Sequence, residues 1–218
     1  MILWLHDSLV VADILIKFKA MVGRITLTLL LATAHASAQV PALSERSESN
    51  GPTRVLDLGG RAVNPLVVEP GSAATVLVFT TTDCPIANRY APEIQRLESR
   101  FGQQVRFVLV FPVAADSAAV IRTHLKKFGY WSEAVRDTAQ ELIKRTGVTI
   151  SPEVAVLDAK SQVVYRGRID DRYLELGVER SQPTVRDLEK ALEAVVAGKP
   201  VAVRQTQAVG CILSDLLK

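Results

Sequence analysis

The sequence predicts an α/β domain in which a mixed β-sheet is flanked by helices. Two segments, 75–80 and 105–111, are apolar on both faces, which is typical of strands covered by helices on both sides. Each is followed by a segment of helical periodicity, and this alternation predicts parallel strands joined by right-handed crossovers. Two later strands, 154–157 and 163–166, are separated by a polar turn and predict an antiparallel hairpin.

The remaining elements complete this sheet. Segments 54–58 and 61–68 lie on either side of Gly59-Gly60 and predict an N-terminal hairpin. After the first buried strand, Ile94, Leu97 and Phe101 share one helical face. Glycines follow this helix and the three later ones, which are expected over about 117–128, 138–145 and 185–197.

Residues 21–38 have the pattern of a secretory signal peptide. Arg24 supplies a positive charge, 25–33 form a short apolar run, and Ala36 and Ala38 are the small residues that precede a cleavage site. We therefore predict cleavage after Ala38 and a periplasmic or secreted protein. Residues 1–20 carry four charged side chains and do not form a clean membrane helix, so we expect that translation starts at Met21. An uncleaved anchor is the alternative.

The rest of the chain divides into a linker, one domain and a tail. Residues 39–53 are polar and without periodicity, which indicates a linker. The domain is expected over 54–198 and the tail over 199–218. A formal charge of +3 with no run of basic residues argues against nucleic acid as a partner. We also expect no stable membrane span in the mature chain.

The chain has two cysteines, and the first lies where chemistry is expected. Cys84 follows a buried strand and precedes a helix, and Pro92 lies two turns further on. The start of a helix favours a thiolate over a thiol, although the negative charge of Asp83 works against it. Cys84 is therefore the best candidate nucleophile, with an inert core cysteine as the alternative.

Cys84, Pro92 and the segment "GVTISPEVAVLD" together resemble the thioredoxin superfamily over about 54–198. The N-terminal hairpin and "TTTDCP" are similar to its redoxin branch, which includes the alkyl hydroperoxide reductase and thiol-specific antioxidant proteins. The resemblance implies that Cys84 is catalytic, that Pro92 kinks the helix and that Pro152 is a cis-proline beside the cysteine. The spacing Thr81-x-x-Cys84 matches a peroxiredoxin pattern and implies that Thr81 donates a hydrogen bond to Cys84, although Leu77 replaces the proline that opens that pattern.

The sequence departs from this superfamily at the second cysteine. Ala87 and Asn88 occupy the positions where a Cys-x-x-Cys or a Cys-x-x-x-Cys pair would place it. We hypothesise that Cys211, in the tail, resolves Cys84 through an intramolecular disulfide. Alternatively, Cys211 pairs with Cys211 of a second chain or stays free.

Two functional interpretations remain open at this point. In the first, Cys84 attacks a protein disulfide or a peroxide, and an external reductant restores it. In the second, the protein is a thioredoxin-fold binding or copper-handling module that has lost its dithiol. We predict no resident cofactor and no metal-ligating residues, since one cysteine and one distant histidine make a poor copper site. His124 is expected on the polar flank of its helix, in solvent, and the charged segment 166–172 is expected to be a solvated loop.

Overall fold

The computed structural model of the protein describes residues 55–213. Its strands, in chain order, are β1 Val55–Asp57, β2 Ala62–Val63, β3 Ala74–Phe79, β4 Val105–Phe111, β5 Glu133–Arg136, β6 Ile150–Ser151, β7 Glu153–Asp158, β8 Val163–Gly167, β9 Tyr173–Glu175, β10 Val178–Glu179 and β11 Cys211–Ile212. Its helices are α1 Pro85–Arg89, α2 Ala91–Phe101, α3 Ala118–Phe128, α4 Glu141–Thr146 and α5 Asp187–Val196. The predicted signal peptide, linker and start site lie outside the described residues.

Seven of these strands form one mixed sheet of order β2-β1-β5-β4-β3-β7-β8. The strands β3, β4 and β5 are parallel, and β7 and β8 add to them as an antiparallel hairpin. At the other edge, β1 pairs antiparallel with both β2 and β5. This confirms the predicted mixed α/β sheet with its N-terminal hairpin, although the hairpin is shorter than expected and β5 is an element that the sequence did not predict.

Helices cover both faces of the sheet, and the central strands alternate between two apolar clusters. Along β3, Val76 and Val78 pack in a cluster with side chains of α2 and α5, whereas Leu77 and Phe79 pack in a second cluster with α4. This alternation follows from the two-residue repeat of a strand. It explains why the strand sequence is apolar throughout, because neither face meets water.

The segment that follows α5 is bound to the sheet. The amide of Arg166 in β8 donates to the carbonyl of Arg204, and the amide of Thr206 donates back to the carbonyl of Arg166. The Thr206 hydroxyl also contacts the hydroxyl of Tyr165 at 2.8 Å and accepts a bond from the amide of Arg168 at 3.0 Å. The chain then ends its described part in β11, which pairs antiparallel with β6.

Two expectations about polar residues were wrong. His124 is not in solvent: it is only 5% exposed, and its ring packs near Phe111, Phe128 and Tyr130. The face of α3 that carries it is therefore the face turned toward the sheet. The charged segment 166–172 is also not a solvated loop, because Asp170 and Asp171 are buried. Asp170 accepts a hydrogen bond from the hydroxyl of Tyr90, and Asp171 accepts one from the amide of Val185.

Candidate active site

The candidate site lies at one end of the central sheet. Cys84 follows the carboxyl end of β3, and Ser151 and Pro152 precede the amino end of β7. Because β3 and β7 are antiparallel, with Phe79 opposite Glu153, these two segments meet at the same edge. The Ser151–Pro152 peptide bond is cis, as the resemblance implied.

The local sequence explains how Cys84 is placed at the start of a helix. Cys84 has extended backbone angles and is the N-cap of α1, and Pro85 follows at the first helical position, where a missing N–H costs nothing. The helix is interrupted at Tyr90, between α1 and α2. Pro92 has no N–H to donate to the carbonyl of Asn88, so it accounts for the interruption.

The second cysteine reaches the first through the strand β11. In the pairing of β11 with β6, Cys211 lies opposite Ser151, and the amide of Leu213 donates to the carbonyl of Thr149 at 2.8 Å. This places the sulfur of Cys211 at 2.8 Å from that of Cys84. A disulfide bond is about 2.05 Å long, so the two sulfurs are less than 1 Å from bonding distance.

The two cysteines differ in exposure. Cys84 is 1% exposed and its sulfur donates a hydrogen bond to the carbonyl of Ser151 at 3.1 Å. Cys211 is only partly buried and lies over it. In the described structure the sulfur of Cys84 therefore touches Cys211 and Ser151 and is closed off from solvent.

The environment of Cys211 keeps its sulfur protonated. Burial, the hydrogen bond to Cys84 and the charges of Cys84 and Asp83 raise the pKa of Cys211 to about 12. At neutral pH its thiol therefore donates to the sulfur of Cys84.

The glycine before Cys211 allows the tail to approach this closely. A Cβ on Gly210 would lie 2.1 Å from the carbonyl oxygen of Ser151 and 2.7 Å from its carbonyl carbon. Real Cβ atoms do not come so near to backbone atoms, so a side chain at this position would push β11 off β6. The sequence analysis did not identify Gly210 or Ser151 as part of the site. The dipeptide Gly210-Cys211 in the tail was the available signal, because a glycine beside a cysteine allows a close approach of the backbone.

The predicted hydrogen bond from Thr81 is not observed. Thr81 is buried close to Cys84 in the chain, but no hydrogen bond links the two side chains in the described part of the protein. The neighbouring Thr82 is held instead, because its amide and its hydroxyl both donate to the carboxylate of Asp116. Asp116 thus fixes the loop between β3 and α1, a role that its place in the sequence did not indicate.

Residues 55–213 contain neither a metal-binding cluster nor a membrane-spanning helix. No group of three or more His, Cys, Asp or Glu side chains in this range is arranged to hold a metal ion. None of the described helices combines the length and apolar character needed to cross a bilayer.

Comparison with solved structures finds chains that are similar to this one. The chain superposes on an uncharacterised conserved protein from Geobacillus kaustophilus with a TM-score of 0.65, at 26% identity over 75% of this chain and 88% of that one. A hypothetical protein from Sinorhizobium meliloti 1021 gives 0.62, at 23% identity over 73% and 88%. A secreted disulfide oxidoreductase from Mycobacterium tuberculosis, homologous to E. coli DsbE, gives 0.45, at 19% identity over 66% and 93%. No protein-family model and no curated protein sequence matches the chain.

The strand order and the site identify the fold. The central strands have the order β4-β3-β7-β8, a cysteine begins the helix after β3, and a cis-proline lies opposite it at the start of β7. These are the features of the thioredoxin-like fold, and the described residues have that fold.

Proposed function

We propose that the protein is a thiol–disulfide oxidoreductase whose redox pair is Cys84 and Cys211. The observation that carries this proposal is the distance of 2.8 Å between the two sulfurs. The pair replaces the Cys-x-x-Cys motif that the sequence lacks: Ala87 occupies the usual second position, and Cys211 arrives from the tail instead.

The contacts support a definite order of steps for substrate reduction. After β11 moves aside, the Cys84 thiolate attacks one sulfur of a substrate disulfide, forms a mixed disulfide and releases the other substrate sulfur as a thiolate. Cys211 then loses its proton and attacks the Cys84 sulfur, which forms the Cys84–Cys211 disulfide and releases the second substrate thiolate. The substrate gains two electrons and the protein loses two. An external reductant must return them.

The same contact favours peroxide as a second candidate substrate. Attack of the Cys84 thiolate on a peroxide would give a sulfenic acid and an alcohol or water. The thiol of Cys211 already touches that sulfur, so it would condense with the sulfenic acid, release water and form the same disulfide. Consumption of hydrogen peroxide by the reduced protein distinguishes the two candidates, because disulfide exchange alone consumes none.

We further propose that this chemistry takes place outside the cytoplasm. The support is the signal-like segment 21–38 together with a redox pair that suits an oxidising compartment. The mass of the exported protein tests both the start at Met21 and cleavage after Ala38. A mature chain that begins at Gln39 is expected, and one that retains 1–20 would contradict the proposal.

The test of the function uses matched single-cysteine variants. Reduced wild-type protein should reduce a disulfide-linked peptide with one disulfide formed per chain, whereas Cys84→Ser should be inactive. Cys211→Ser should accumulate the mixed disulfide on Cys84, because the resolving thiol is missing. Equal turnover by wild type and Cys211→Ser would refute the assigned pair. Copper that survives chelation would support the copper-handling alternative.

A further inference from the structure

The two cysteines of the pair are not equally accessible, and this bears on how the oxidised protein is reduced. A thiolate that attacks a disulfide must approach one of its sulfurs, and access decides which one. Cys84 is 1% exposed, beneath β11 and against the carbonyl of Ser151. Cys211 is partly exposed, and its neighbour Ile212 is 70% exposed. The outer side of the pair is therefore the Cys211 side.

From this geometry we infer that the external reductant attacks Cys211 and not Cys84. This inference rests on the proposed redox pair and concerns the half-reaction that restores it. The substrate and the reductant therefore form their mixed disulfides with different sulfurs. The substrate bonds to Cys84, whereas the reductant bonds to Cys211. A protein or small molecule with two thiols can complete this half-reaction by itself.

The redox pair is reduced by two successive thiol–disulfide exchanges. A thiolate of the reductant attacks the Cys211 sulfur, a new bond forms between those two sulfurs, and the Cys84–Cys211 bond breaks with its electron pair on Cys84. The second thiol of the reductant then attacks the reductant's own sulfur in the mixed disulfide, which forms its internal disulfide and releases Cys211. Cys211 takes up the proton that this second thiol loses. Two electrons pass to the protein.

Cys84 is the leaving sulfur in this step, and its position is fixed: it is the N-cap of α1 and lies against the carbonyl of Ser151. Cys211 meanwhile stays in place, since it is held by the pairing of β11 with β6.

The surroundings of Cys211 also indicate the charge of the thiol that it accepts. Asp83 is exposed, and its charge acts on the Cys211 sulfur. A negatively charged thiol compound meets repulsion there, whereas a positively charged one is attracted. A charge pair in this solvent-exposed setting changes a rate by about threefold at low salt, and less as salt screens it.

The experiment maps the first adduct on the oxidised full-length mature protein. The protein is mixed with cysteamine, a cationic monothiol, quenched with acid after milliseconds to seconds, and digested for mass spectrometry. We expect the adduct on Cys211 to exceed that on Cys84 at least tenfold. An adduct mainly on Cys84, or equal amounts on both, would overturn the inference.

Two controls complete the design. Thioglycolate, an anionic monothiol, should react about ninefold more slowly than cysteamine after correction for thiol pKa, about threefold for each charge, and Asp83→Asn should remove that ratio. Unchanged preference in Asp83→Asn would contradict the assigned charge effect. If the oxidised protein contains no Cys84–Cys211 disulfide, the proposed function itself fails; if the disulfide is present and the adduct forms on Cys84, only the present inference fails.

Discussion

Gly210→Ala is the substitution that tests most sharply how the redox pair is assembled. The added Cβ would lie 2.1 Å from the carbonyl oxygen of Ser151, about 0.9 Å inside the 3.0 Å below which something must shift. The contacting atoms are backbone, so β11 itself has to move away from β6. Gly210 does not have a positive φ, so the effect comes from the close contact and not from backbone strain.

The expected effect is a less stable disulfide. A shift of about 1 Å moves the Cys211 sulfur away from a partner that it now touches at 2.8 Å, and the protein must strain to close the bond. We expect a ten- to hundredfold loss in the equilibrium for disulfide formation, which raises the reduction potential of the pair by about 30 to 60 mV. The measurement is a titration in glutathione redox buffers, with alkylation and mass spectrometry of both cysteines.

Gly198→Ala is the matched control for this experiment. Gly198 lies after α5 with a positive φ and open space around its Cα, so alanine there costs about 1 kcal/mol of general stability without touching the site. Its reduction potential should equal that of wild type. If Gly210→Ala also leaves the reduction potential within about 10 mV of wild type, the pairing of β11 with β6 does not determine the stability of the Cys84–Cys211 disulfide, and our reasoning is refuted.

Three further outcomes follow from individual contacts. Cys84 helps to raise the pKa of Cys211 to about 12, so Cys211 in the reduced protein should resist iodoacetamide up to pH 9. Cys84→Ser should make Cys211 reactive at lower pH, and an unchanged pH profile of Cys211 alkylation would contradict this. Thr206→Val removes the hydroxyl that contacts Tyr165, so it should lower the free energy of unfolding by about 1 to 2 kcal/mol and increase alkylation of Cys84. A variant with the unfolding free energy and the Cys84 alkylation rate of wild type would disprove this. Burial raises the pKa of Asp137 to about 6, so the folded protein binds this proton more tightly than the unfolded chain does. The stabilising effect is complete below the unfolded pKa and is lost as the pH rises through 6. Urea unfolding should show wild type losing about 2 kcal/mol of unfolding free energy relative to Asp137→Asn between pH 4 and 7, and a gain over that range would contradict the reasoning.

The sequence predicted the parts of the fold that local pattern controls. The strands β3 and β4 are apolar on both faces and long enough to be recognised, and the hairpin of β7 and β8 has a clear polar turn. The strand β5, Glu133–Arg136, was missed because it has four residues with charged ends and resembles a loop. Its strand character comes from pairing with β4 and β1, which no local pattern reveals.

The site was predictable to a similar extent. Cys84 and Pro152 could be placed because each lies at a recognisable junction between elements. The position of Cys211 could not, because β11 has only two residues and pairs with a strand far away in the sequence. His124 was misplaced for a related reason: its helix has apolar residues on more than one side, and only the packing decides which side faces the sheet.

The most direct test of the redox pair is peptide mapping under non-reducing conditions. The mature protein is oxidised with a mild disulfide reagent, free thiols are alkylated at low pH, and the digest is analysed by mass spectrometry. Our account predicts one cross-linked species in monomeric protein, which joins the Cys84 peptide to the Cys211 peptide and disappears on reduction. Both cysteines alkylated under oxidising conditions, or a Cys211–Cys211 link between two chains, would contradict it.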